Sequence, residues 1–196
     1  MVSVEALDDE AFASAFGERE QSLILSSPIL MGASVVFGRQ VLDGSMIDAV
    51  SPVWFELVRR LKGDPDYAFR MSPQQWEEMI AAAYKQAGYD EVILTPRSGD
   101  LGRDVIAIKR DFATVRVVNQ MKRYAAGRVV TADEVRALYG VMRLDGASKA
   151  VLTTTAQFAP RLRDDRLLKA VIPSELELVD KDTLIPSLVQ IAGRAA

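Results

Sequence analysis

The chain has 196 residues, with no cysteine, no histidine and a formal net charge of −3. These absences exclude disulfides, thiolate or imidazole metal sites, Ser-His-Asp triads and histidine acid–base catalysis; any metal must sit on oxygen ligands, which favours magnesium or manganese. With 49% hydrophobic and 26% charged residues, the composition is that of a globular chain long enough to bury its own core.

The opening MVSVEALDDE is acidic and does not read as a signal peptide. Val4, Leu7, Phe12 and Phe16 are loosely amphipathic. From Gln21 to Phe37 the chain carries no charge over a length close to that of the shortest membrane spans. Ser26, Ser27, Pro28, Gly32 and Ser34 break that run into short apolar pieces, so no membrane span and a cytoplasmic location are expected. Met46 to Leu61 reads as a helix, with Pro52 suited to a helix start. Lys62-Gly63-Asp64-Pro65-Asp66 is a strong breaker. It divides a mostly helical N-terminal extension, residues 1–70, from a second domain, residues 71–196.

The second domain is better patterned. Ser72-Pro73-Gln74-Gln75 opens a helix, with Ser72 as N-cap, Pro73 in the first turn and Gln75 closing a capping box. Trp76, Met79, Ile80, Ala83 and Tyr84 form its apolar face, and Gly88 ends it. Glu91–Thr95 is a short strand, Arg97–Gly102 a glycine-containing loop, and Asp104–Ile108 and Thr114–Gln120 are strands joined around Lys109–Ala113. Thr131–Met142 is a helix, Lys149–Thr154 a strand, Phe158–Ala170 a helix, Glu175–Val179 a strand and Thr183–Ala192 a last helix. Three strands in a meander followed by strand–helix alternation imply an α/β fold with a mixed sheet and parallel crossovers.

The chemistry gathers at the hairpin. Side chains two apart on a strand share a face, so Gln120 and Lys122 point one way and Met121 the other. A two-residue turn at Asp111-Phe112 sets Asp104 opposite Asn119; a three-residue turn at Asp111–Ala113 sets it opposite Gln120. Only the second puts Asp104, Gln120 and Lys122 together, and it is the register expected, with paired side chains roughly 5 Å apart. The Asp104 carboxylate, the Gln120 amide oxygen and the Met121 carbonyl can share one hydrated magnesium, while Lys122 orients water and offsets charge on a phosphate. By spacing alone an Asp and a Lys on neighbouring strands ordinarily form a surface ion pair worth about 0–1 kcal/mol. The surroundings are basic, however: Arg97 to Arg128 holds 8 basic and 3 acidic residues within an acidic protein, which suits a confined polyanion site.

Trp76-Glu77, Ala87-Gly88-Tyr89, Ser98-Gly99-Asp100-Leu101-Gly102-Arg103-Asp104-Val105-Ile106-Ala107 and Val118-Asn119-Gln120-Met121-Lys122-Arg123-Tyr124 come in that order. With Val151-Leu152-Thr153-Thr154-Thr155, Phe158 and Leu178-Val179-Asp180 to Leu184, the run resembles the Mrr-type branch of the restriction-endonuclease-like PD-(D/E)XK nucleases from about Ser72 to Leu184. The resemblance implies a central mixed sheet flanked by helices and magnesium-dependent cleavage of double-stranded DNA, with manganese as a substitute. It puts the family's helix glutamate on Glu77 rather than Glu78, its metal-binding aspartate on Asp104 and its Gln-x-Lys on Gln120 and Lys122. Many superfamily members carry glutamate where Gln120 stands, which makes this site less acidic.

Arg97, Arg103, Arg123 and Arg128 flank the site and are candidates for DNA phosphate contacts as planar forks. Symmetric cutting of a duplex uses two active sites, so a homodimer is expected, with residues 1–70 as an oligomerisation or DNA-targeting element. The role expected is restriction or defence against foreign DNA. A structure-specific repair nuclease, a junction resolvase and a catalytically inactive DNA-binding module stay open as alternatives.

Overall fold

The computed structural model describes residues 34–96, 102–125 and 127–194, and builds them around a seven-stranded mixed sheet. The elements are β1 (Val35–Val41), β2 (Gly44–Val50), α1 (Pro52–Gly63), α2 (Pro73–Gln86), β3 (Glu91–Leu94), β4 (Val105–Arg110) and β5 (Thr114–Lys122). There follow β6 (Val129–Val130), α3 (Ala132–Asp145), β7 (Lys149–Thr154), β8 (Gln157–Phe158), β9 (Leu176–Val179) and α4 (Lys181–Ala192). The sheet order is β1-β2-β3-β4-β5-β7-β9; β1 to β5 pair antiparallel, and β7 and β9 join parallel through crossovers. This is the α/β arrangement expected, a mixed sheet with helices on both faces. No helix among the described residues is long and apolar enough to cross a membrane.

Two apolar clusters cover the two faces. Val92, Val105, Ala107, Val117 and Met121 pack with residues of α1, α2 and α4; Ile106, Ile108, Val118 and Leu152 pack with Val135, Leu138 and Met142 of α3. Strict alternation along β4 and β5 therefore sends successive side chains to opposite layers. The central strands are buried on both faces, and each layer depends on the other side's neighbours.

Local chemistry explains most boundaries. Ser72 and Gln75 close the capping box expected of α2, and Gly88 follows it at φ +83. Thr131 and Glu134 make a second capping box at α3. Thr131→Ala should cost about 1 kcal/mol of stability by orphaning the Glu134 amide, read as a lower urea midpoint at unchanged slope.

Several expectations are corrected. Met46–Leu61 is not one helix: Met46–Val50 is strand and the helix starts at Pro52. Ile47, Val50, Trp54, Leu57 and Leu61 fall at helical spacing although they belong to two elements. Proline disfavours helix in the residue before it, and Ser51 is extended and caps α1 through Val53 N–H. The described part of the N-terminal extension thus adds a hairpin to the sheet as well as a helix to its core. Phe158–Ala170 is not a helix but β8 and two 3-10 turns, at Leu162–Asp164 and Leu168–Ala170. Pro160 interrupts it, Arg161 sits at φ +61, and the Asp165 carboxylate accepts the Leu167 and Leu168 amides. The amphipathic stretch at Val4–Phe16, most of the uncharged Gln21–Phe37 run, and Arg97 lie outside the described residues.

Candidate active site

The β4–β5 hairpin has the expected register. Arg110 pairs with Thr114 across a three-residue turn, and Val105 pairs with Asn119. Asp104 stands one step further on, where the ladder slips. Its N–H donates to Asn119 O at 2.9 Å and its C=O accepts from Thr95 N–H at 3.0 Å. Instead of a plain cross-strand pair with Gln120, the Asp104 carboxylate turns onto the β5 backbone, where Oδ2 accepts the Met121 N–H at 2.6 Å. The carboxylate is thereby seated at the middle residue of Gln120-Met121-Lys122. A hydrogen bond between an ionised oxygen and an amide is among the stronger polar contacts available to a strand end.

Alternation settles the rest of the strand. Val117 and Met121 face the α2 layer and Val118 faces the α3 layer, so Gln120 and Lys122 share the α3 face. Gly102, at φ +77, lies beside them: a Cβ there would sit 3.7 Å from the Gln120 amide nitrogen and 3.4 Å from Val141. The positive φ explains the glycine; a Cβ would make only ordinary contacts there.

Three threonines hold the strand in place. Thr153 Oγ1 accepts from Asn119 Nδ2 at 3.0 Å, and Thr154 Oγ1 donates to Lys122 O at 2.7 Å. Thr155 Oγ1 accepts the Tyr124 N–H and donates to Tyr124 O. All three are buried, and each hydroxyl is satisfied by a neighbouring polar group. The Thr-Thr-Thr run clamps the strand end around Gln-x-Lys. On the other face, Asn119 Nδ2 also donates to Tyr84 Oη, and burial pushes the Tyr84 phenol well up.

Beyond Lys122 lies a group that sequence reasoning missed. Tyr124 Oη donates to Glu134, and the Arg128 guanidinium stacks on the Tyr124 ring at 4.0 Å. Partial burial pushes the Glu134 carboxyl up. The Thr131 and Tyr124 hydrogen bonds and the charge of Lys122 outweigh that and hold it below the usual carboxylate range. Glu134 is visible in sequence as the last residue of Thr131-x-x-Glu134, but only as a cap; its neighbourhood with Lys122 needs the fold.

The other expected residues divide. Glu77 is half-buried in the second turn of α2. The far end of that helix leads to Asp90, which meets Ile108 and Arg110, so Glu77 lies toward the Asp104 end of the sheet, in the layer behind it. Its neighbour Glu78 is buried, with Ser34 and Gln74 as partners, and is a structural group. Arg123 donates to Phe69 O at 2.6 Å, and Arg128 is the stacked residue just described. Arg103 departs from expectation. Its side chain is 11% exposed and its guanidinium is engaged by Asp43 and Asp145, so it is not available as a phosphate fork.

The donor set for a metal is sparse. No group of three or more acidic side chains placed to hold a metal ion occurs among the described residues. One carboxylate, one amide and main-chain carbonyls are all oxygen donors, which suits a hard cation that keeps most of its waters.

A family model described as a restriction endonuclease, Mrr_cat, matches residues 68–188. Among solved structures, the DNA modification-dependent restriction endonuclease AspBHI is 21% identical, covering 71% of this chain and 35% of its own, with a TM-score of 0.46. The MspJI restriction endonuclease, solved in complex with a 27-mer oligonucleotide, is 17% identical over 72% of this chain and 32% of its own, with a TM-score of 0.45. A protein of unknown function, AF1548, is 16% identical over 60% of this chain and 65% of its own, with a TM-score of 0.46. The chain therefore spans about a third of the length of either restriction endonuclease. No curated protein matches.

Proposed function

The chain belongs to the Mrr_cat restriction endonuclease family, and from that premise we propose that it is a magnesium-dependent endonuclease acting on double-stranded DNA, in restriction or defence against foreign DNA. Residues 71–196 form its nuclease domain, and residues 1–70 serve oligomerisation or DNA targeting. The observation that carries the reading is the seating of the Asp104 carboxylate on the Met121 N–H. It brings the acidic side chain at the open end of the hairpin onto the strand that bears Gln120 and Lys122.

Each residue then has a task. Asp104 Oδ, Gln120 Oε1 and the Met121 carbonyl would hold the divalent ion, with manganese as a substitute. When bound, that ion supplies Lewis-acid polarisation of the phosphate and positive charge at the developing oxyanion. The Lys122 ammonium orients the attacking water by hydrogen bonding and stabilises charge on the non-bridging oxygens. Water oxygen forms the new bond to phosphorus, one ester oxygen leaves, and the water proton passes to solvent or to the departing oxygen. Glu77 supports the ion's water shell from α2. Arg123 and Arg128 contact backbone phosphates, Arg128 already stiffened by its stack on Tyr124. A homodimer would supply two such sites for the two strands.

A plasmid nicking assay tests the reading. Supercoiled plasmid should be converted to nicked and linear forms with added magnesium or manganese, and conversion should stop with chelator and resume on replenishment. Cutting that continues after exhaustive chelation, or strong duplex binding with no cutting under either ion, would rule it out.

A further inference from the structure

We propose that Arg103 is a positioning residue for Asp104, and that the β1–β2 hairpin reaches the active site through it; the role rests on the nuclease reading above. Arg103 directly precedes Asp104. Its guanidinium bridges Asp43, in the turn between β1 and β2, at 2.8 Å and Asp145, the last residue of α3. Arg116 of β5 closes the ring, with Nε 2.7 Å from Asp145 and an NH2 3.5 Å from Asp43. Each carboxylate touches both guanidinium groups, so two cations and two anions alternate.

The Arg103–Asp145 half of the cluster is poorly hydrated, while Asp43 and Arg116 are partly exposed. Asp145 is 7% exposed and Arg103 11%. Removing charges from water costs about as much as their mutual attraction returns, so such a cluster is a weak source of net stability and a strong source of geometry. Breaking it from one side strands the opposite charge. Arg103 Nε is buried without a hydrogen-bond partner among the described residues, so the side chain's whole engagement is its two-sided grip on Asp43 and Asp145.

The main chain is held as well. Thr95 Oγ1 donates to Arg103 O at 2.5 Å and lies 3.2 Å from Asp104 O. Arg103 is thus fixed by side chain and carbonyl, by elements distant in sequence, immediately before the residue whose carboxylate must meet Met121. A one-residue lever this stiff leaves Asp104 few ways to turn. Asp43 belongs to the N-terminal extension, so the hairpin sets active-site geometry through Arg103.

The Met121 amide reports the geometry directly, because its hydrogen bond ends on Asp104 Oδ2. In Arg103→Met, exchange of the Met121 amide hydrogen should accelerate about ten-fold or more while amides at residues 106–108 keep their rates, the mark of a local opening. Cleavage kcat should fall roughly 10- to 100-fold with KM for DNA nearly unchanged, the range typical of residues that orient a ligand. Arg103→Lys keeps the charge but cannot fork between two carboxylates, and should fall between. Asp43→Asn leaves the core intact and should move both readouts the same way by less, which decides the matter if Arg103→Met fails to fold. Unchanged Met121 exchange in these variants, or equal acceleration throughout the β4–β5 ladder, would overturn the proposal. Failure of the wild type to cut would count against the nuclease reading alone, since the exchange measurement needs no activity.

Discussion

Asp104→Asn should lower plasmid cleavage in magnesium by about 1,000-fold or more, equivalent to about 4 kcal/mol of transition-state stabilisation. It should melt within about 3 °C of wild type. The substitution is chosen for what it keeps. Asparagine has nearly the same volume and its amide oxygen can still accept the Met121 N–H, so the strand end stays satisfied. What goes is the negative charge, and with it the only acidic side chain within the proposed donor set of Asp104, Gln120 and the Met121 carbonyl. A site with Gln120 in place of a second carboxylate has no reserve, so the loss should not be recovered by raising magnesium to high concentration. Alanine is the blunter test, because it also leaves a buried N–H without an acceptor, which typically costs about 1–3 kcal/mol. An Asp104→Asn enzyme that cuts within a few-fold of wild type would remove Asp104 from the chemistry.

The parts of this molecule that were legible in the sequence are those whose cause is local. Ser72 and Gln75 cap α2, Gly88 ends it, and a three-residue turn at Asp111–Ala113 fixes the register that brings Asp104 to Gln-x-Lys. Each of these is decided within a few residues. The β1–β2 hairpin was not legible because β1 is an edge strand, the pair carries bulges and does not alternate cleanly, and because Ile47 and Val50 continue the spacing of α1. Pro52 marks a helix start in the sequence, and only the structure shows that the strand ends there. The site shows the same division. The motif residues could be named, but Arg103 could be taken for a phosphate ligand because its partners, Asp43 and Asp145, lie 60 and 42 positions away along the chain. Glu134 was visible as a cap and invisible as a neighbour of Lys122. Ion pairs between distant elements leave no periodicity to read.

Lys122→Met is the second large effect, and it acts through charge rather than metal. Methionine keeps an unbranched, apolar stem of similar length beside the half-buried strand end, so the Thr154 bond to Lys122 O and the β5–β7 pairing should survive. The ammonium is lost, and with it both the donor to water and the positive charge near the non-bridging oxygens. A fall of about 1,000-fold in kcat is expected, with duplex affinity little changed because Arg123 and Arg128 remain. Arginine should not restore the activity, since a planar guanidinium is wider and more rigid than the compact ammonium it replaces. A separate readout comes from Glu134. In the wild type, its carboxyl stays below the usual range against the upward push of burial, because Thr131, Tyr124 and the Lys122 charge favour the ionised form. Removing Lys122 removes one of the lowering causes, so the Glu134 titration followed by NMR should move up. A depressed carboxyl contributes stability that is present above its unfolded-state pKa and is lost as pH falls through its folded value. The acid limb of the stability curve should therefore flatten slightly in Lys122→Met, with neutral-pH stability reduced by the same small amount. Wild-type cutting together with an unmoved Glu134 would show that the Lys122 ammonium reaches neither the phosphate nor the α3 carboxylate.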